Sequence, residues 1–159
     1  MKNLKKKRYI YIFLMIIIWI LFIWNNSLQV ADLSQKQSDW FMEKIKFIFN
    51  FFFDLEDNDS LASFFTRKLA HFSEFFILSF LLSCFILRLN SINRKIFFLP
   101  ILISGIIASI DETIQLFVPG RSGMLKDVFI DTSGAIFGFI FFLFIRNIFK
   151  NIKKSKISS

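Results

Sequence analysis
The residues able to do chemistry fall in two stretches of the chain. Arg67, Lys68, His71 and Glu74 form the first; Asp111, Glu112, Gln115, Arg121, Asp127 and Asp131 form the second. Their spacing is helical. Arg67, His71, Glu74 and Leu78 follow i, i+4, i+7, i+11, which is one stripe of a helix, and Asp127, Asp131, Gly134 and Gly138 repeat the pattern. Gly105, Ala108 and Glu112 share a third stripe. One imidazole beside several carboxylates offers a general acid and base in His71, Glu74, Asp111, Glu112 and Asp131. The same groups could instead ligate a divalent metal, Mg²⁺ or Mn²⁺ more readily than Zn²⁺. Arg67, Lys68 and Arg121 are cations suited to phosphate or carboxylate, with Gln115 and Asp127 as further polar contacts. Cys84 is the single cysteine and lies inside an apolar block, so no disulfide framework exists and a packing role is expected.

Four long apolar blocks must position these groups. The chain has 159 residues, 55% of them hydrophobic, which is too apolar for a soluble domain of that size and fits one polytopic bundle. Its 25 Phe against 5 Gly and 2 Pro favour helices over loops. The expected fold is all-α, with transmembrane helices over 9–24, 69–87, 96–118 and 128–149. The first spans about 24 Å at ~1.5 Å per residue, short of a ~30 Å hydrocarbon core, and Lys residues at one end with Trp24, Asn25 and Asn26 at the other extend it. No small-x-small cleavage site follows Trp24, so this segment is read as an uncleaved helix rather than a signal peptide. Residues 26–60 form an outer loop. Within it Trp40, Phe41, Ile45, Ile48, Phe49 and Phe52 recur at helical spacing between charged residues, the pattern of an amphipathic helix in the membrane interface. The acidic group Asp54, Glu56, Asp57 and Asp59 lacks calcium-loop spacing and reads as solvated loop.

Charge sidedness orients the bundle. The N-terminal tail, the 88–95 link and the C-terminal tail from Arg146 carry 13 of the 20 Lys and Arg and no Asp or Glu. Tails and link are therefore expected on the cytoplasmic side. The net charge of +8 then describes topology, and no nucleic-acid partner is expected. In this orientation His71, Glu74 and Asp131 lie within roughly 10 Å of the outer boundary and Asp111 about 10 Å from it. Each residue also has a plain structural reading. Arg67 and Lys68 anchor a helix end, His71 and Glu74 pair, Asp111 and Gln115 tie helices together, and Asp127 caps the fourth helix. Their agreement in depth across three segments favours a site. Gly134-x-x-x-Gly138 allows close helix approach, and packing of the third span on the fourth is expected to bring Glu112 toward Asp131.

Arg67-Lys68-x-x-His71-x-x-Glu74 resembles the first motif of the VanZ-like family. Asp111-Glu112-x-x-Gln115-x-Phe117-x-Pro119-Gly120-Arg121, then Asp127-x-x-x-Asp131-x-x-Gly134, resembles its second. The resemblance implies a small four-helix membrane protein. The family's namesake is associated with resistance to teicoplanin, a glycopeptide acting at the cell surface. Three functions fit. One is binding, at the outer face, of membrane lipid, a lipid-linked wall precursor or a lipoglycopeptide. Another is an intramembrane hydrolase or transferase acting on such a lipid. The third is a proton relay, which the lack of a polar path to the cytoplasm disfavours.

The charge bias makes a direct prediction. Reporter fusions at Ser159 and at Asp57 are expected on opposite sides of the membrane; both on one side would exclude four spans.

Overall fold
The computed structural model describes residues 2–30, 59–89 and 96–158, with Leu33, Lys36, Asp39, Trp40 and Glu43 between them. Within these residues the chain is all-helical and contains no strand. Helix α1 runs Lys2–Ser27, α2 Asp59–Leu89, α3 Leu99–Gln115 and α4 Leu125–Ser158. Three stretches are long and apolar enough to cross a membrane: Tyr9–Ser27, Phe64–Leu87 and Leu125–Ser155. Most of the interfacial helix expected within 26–60, and the acidic residues 54–57, lie outside the described residues.

Helix α3 has 17 residues, about 26 Å at ~1.5 Å per residue, and is shorter than the apolar run 96–118 that encodes it. Both ends have local causes. Pro100 sits in the first turn, where its missing N–H is no loss. At the other end the N–H of Phe117 bonds the Ile114 carbonyl and that of Val118 bonds the Gln115 carbonyl, at 3.0 and 3.1 Å. These i to i−3 bonds tighten and close the helix. The chain then reverses through Val118-Pro119-Gly120-Arg121. The Arg121 N–H donates to the Val118 carbonyl at 3.1 Å, and Gly120 takes φ +77°, the geometry of a type II turn with Pro and Gly at its centre.

Two buried hydroxyls inside the apolar helices turn back on their own backbone, while that of Ser79 is buried without a partner. Ser83 donates to the Ser79 carbonyl at 2.6 Å and Ser104 to the Pro100 carbonyl at 2.8 Å, which satisfies them without a neighbour. Ile16 and Ile23 of α1, Phe75, Leu78 and Leu82 of α2, and Ile107 and Ala108 of α3 form the main buried core. A second core joins Leu87 to Phe139 and Phe142. Outward, α1 shows Tyr11, Ile18 and Leu21 and α4 shows Phe137, Ile140 and Phe144, an apolar surface suited to lipid.

The closest pairing is α2 with α4, and it differs from the expectation that the glycine stripe would draw α4 to α3. A Cβ on Gly134 would run into the Phe72 carbonyl oxygen, and one on Gly138 into that of Phe76. Gly105 of α3 is less constrained: a Cβ there would stand at ordinary contact distance, 3.7 Å, from Thr132 Oγ1. Phenylalanines flank the α2–α4 seam, with ring centroids 5.7 Å apart for Phe72–Phe137 and 5.6 Å for Phe76–Phe141.

Because backbone lies on the far side of Gly138, a side chain there cannot be accommodated by rotamer change. Gly138→Leu is expected to destabilise the bundle by about 1–3 kcal/mol or more, the cost of overpacking. The readout is reduced membrane accumulation and a lower melting temperature in detergent; wild-type values for both would refute the close approach.

Candidate functional site
Setting the glycine face of α4 against α2 places Asp131, one turn before Gly134, opposite His71. The His71 Nδ1 stands 3.9 Å from Asp131 Oδ1 and 3.9 Å from Glu74 Oε2. Glu74 shares the His71 stripe one turn along α2, as the sequence spacing requires. These separations exceed hydrogen-bond length. His71 Nδ1, Glu74 Oε2 and both Asp131 oxygens are buried without a hydrogen-bond partner.

Helix α3 contributes Asp111. One imidazole nitrogen of His71, one oxygen of Asp111 and one of Asp131 lie within 4.8 Å of one another. Asp111 is held from behind: Ser27 Oγ donates to its Oδ1 at 2.6 Å and Gln115 Nε2 to its Oδ2 at 3.1 Å. Glu74 is braced in the same way, with Asn26 Nδ2 donating to its Oε1 at 2.7 Å. The Trp19 indole N–H donates to the Glu74 backbone carbonyl at 2.9 Å and locks α1 onto α2.

Glu112 does something else. Its Oε2 accepts the Met124 backbone N–H at 2.9 Å, and its Oε1 takes a 3.3 Å contact from Gln115 Nε2. The carboxylate thus ties the 116–124 connection back to α3. On the same helix Asp111, one residue before Glu112, is the carboxylate that joins His71 and Asp131 within 4.8 Å. Gln115 bridges both carboxylates and also reaches Ser27 Oγ at 3.5 Å.

The basic residues divide as well. Lys68 pairs with Asp127 in a part-buried link from α2 to α4, and its ammonium lies 5.2 Å from the centre of the Phe64 ring. Among the described residues Arg67 and Arg121 have no side-chain hydrogen bond or ion pair. Arg121, presented by the type II turn, is partly buried; burial lowers its pKa, the Asp111, Glu112 and Glu74 carboxylates raise it, and Arg67 lowers it. Its guanidinium therefore lies in the field of the carboxylate cluster without closing on any member.

Sequence reasoning does not find Asn26, Ser27, Trp19 or the Met124 N–H. The first two had a signal, since Asn25-Asn26-Ser27 is a polar triplet ending an apolar run. The arrangement as a whole is a helical membrane protein with a carboxylate–imidazole cluster buried where four helices meet, rimmed by arginine. Its sequence places it more narrowly: the family VanZ/LLP1 matches residues 11–146, which include every residue of the cluster, and the chain belongs to that family. No curated protein and no solved structure matches it.

The Lys68–Asp127 link is the one direct ion pair between α2 and α4 among the described residues. A double-mutant cycle with Lys68→Ala and Asp127→Ala, read by melting in detergent, is expected to give a coupling of about 0.5–3 kcal/mol. Additive single-variant effects would mean that the two residues act separately.

Proposed function
We propose that this chain is a multi-pass protein of the cytoplasmic membrane, both termini in the cytoplasm and α3 crossing with the other three helices. Its polar site acts from the outer face on the cell envelope. The reading favoured is binding of an anionic, lipid-linked ligand, such as a wall precursor or a lipoglycopeptide, in protection against teicoplanin-type glycopeptides. Membership of the VanZ/LLP1 family supports the setting. The observation that carries the reading is Arg121, a partly buried guanidinium without an ion-pair partner among the described residues, held on the 118–121 turn in the field of the carboxylate cluster. A planar guanidinium in that position suits bidentate recognition of phosphate or carboxylate, and Arg67 adds to the positive field.

A second reading is an intramembrane hydrolase or transferase on the same class of lipid. His71 between Glu74 and Asp131 favours it, because a nitrogen 3.9 Å from two carboxylates needs only a small shift, or one water, to exchange a proton. His71 would then be the base, Asp131 or Asp111 the acid, and Arg121 would steady the anion.

One experiment addresses both. The chain is expressed in a teicoplanin-susceptible bacterium, and resistance is measured beside membrane protein level and binding of a pyrophosphate-linked lipid to purified protein. Arg121→Ala is expected to weaken lipid binding by about 1.5–3 kcal/mol, the value of a charge-assisted contact, and to reduce resistance at unchanged protein level. Unchanged binding and resistance would remove the anion-binding reading. Asp131→Asn keeps the shape and removes the charge; full resistance in that variant would count against the enzyme.

A further inference from the structure
The buried cluster poses a charge problem that the cations among the described residues do not solve. Asp131 has a side chain with 0% exposure, and neither of its oxygens has a hydrogen-bond partner. A buried carboxylate in that condition is costly unless a cation or proton faces it. Lys68 is committed to Asp127, and Arg67 and Arg121 form no ion pair among the described residues. Two further unpartnered buried atoms, His71 Nδ1 and Glu74 Oε2, belong to the same cluster, with His71 Nδ1 3.9 Å from both carboxylates. Two helices, α2 and α4, therefore aim unpartnered polar atoms at one another, and Asp111 of α3 stands beside them.

The spacing suits an ion. A first-row divalent cation holds nitrogen and oxygen donors at about 2.0–2.2 Å, so donors on opposite sides of it stand about 4.2 Å apart and adjacent ones about 3–3.5 Å apart. The donor atoms of His71, Asp111 and Asp131 all lie within 4.8 Å of one another. A contraction of about 0.5–1.5 Å in the donor separations brings the group to ligating distance. The supporting shell has the form found behind metal ligands. Asn26 occupies Glu74 Oε1 and leaves Oε2 free, while Ser27 and Gln115 fix the plane of the Asp111 carboxylate.

We propose that His71, Asp111 and Asp131, with Glu74 as the fourth donor, form a divalent-cation site for Mn²⁺ or Zn²⁺. The imidazole argues against Mg²⁺, which prefers oxygen and retains its waters. The small donor set, three residues within 4.8 Å of one another and Glu74 3.9 Å from His71, argues against Ca²⁺, which takes six to eight oxygens at about 2.3–2.6 Å. The site stands independently of the envelope ligand proposed above.

The test uses tag-free full-length protein in detergent, stripped with chelator, and then titrated with Mn²⁺ and with Zn²⁺ separately. Calorimetry and elemental analysis report stoichiometry, and circular dichroism reports the folded state. Wild type is expected to take up one ion per chain and to melt at a higher temperature with it. Asp131→Asn is expected to bind about 100-fold more weakly or worse, and Ser27→Ala roughly 10–100-fold more weakly, the range for loss of a supporting hydrogen bond. Glu43→Gln, an exposed carboxylate outside the cluster, retains wild-type binding. Folded wild type that binds neither ion overturns the proposal. So does wild-type affinity in Asp131→Asn, or in Glu74→Gln should the first variant fail to accumulate.

Discussion
Two missing side chains govern this bundle. With hydrogen at Gly134 and Gly138, α4 rests against the carbonyls of Phe72 and Phe76, closer than any Cβ would permit. In an apolar solvent helices gain little from hiding hydrocarbon from lipid, so intimate contact must supply the attraction. The same contact sets the rotation of α4 about its own axis. That rotation turns Asp131 inward to His71 and keeps Phe129 and Phe137 outward. Packing and polarity are therefore one decision in this protein.

The second requirement is that polar atoms in such an interior be answered locally. The protein does so at two levels. Isolated serines bond their own helix, as Ser83 and Ser104 do. The carboxylates use neighbouring helices: Asn26 and Ser27 of α1 brace Glu74 and Asp111, and Gln115 joins Asp111 to Glu112. Both oxygens of Asp111 and of Glu112 are engaged in this way, while Glu74 keeps its Oε2 free toward the common centre. Among the carboxylates of the cluster Asp131 alone receives no hydrogen bond.

Much of this was legible in the sequence. Uninterrupted apolar runs suffice to place α1, α2 and α4, because length and hydrophobicity leave few alternatives for such segments. Their ends are less legible. Helix α4 runs on to Ser158 because its Lys-rich tail is made of good helix formers, and α1 continues through Ser27. The side-chain stripes are also readable, since i, i+4, i+7 spacing defines a face by geometry alone. Spacing does not say which neighbour a face meets. Gly134 and Gly138 suit α3 and α2 equally on paper, and the structure seats them on α2. Asn26 and Ser27 illustrate the same gap, because short polar residues at a helix end look alike whether they face water or a carboxylate.

The braces from α1 have a consequence for biogenesis. A ribosome delivers these helices in order, and the partners of each polar group are spread along the whole chain. When α2 arrives, Asn26 and Trp19 already wait for Glu74; when α3 arrives, Ser27 waits for Asp111. His71 and Lys68 must wait for Asp131 and Asp127 on α4. The nascent protein thus carries its ionisable groups through synthesis with most of their exposure to hydrocarbon already relieved, and the last helix to be made both seals the seam and completes the centre.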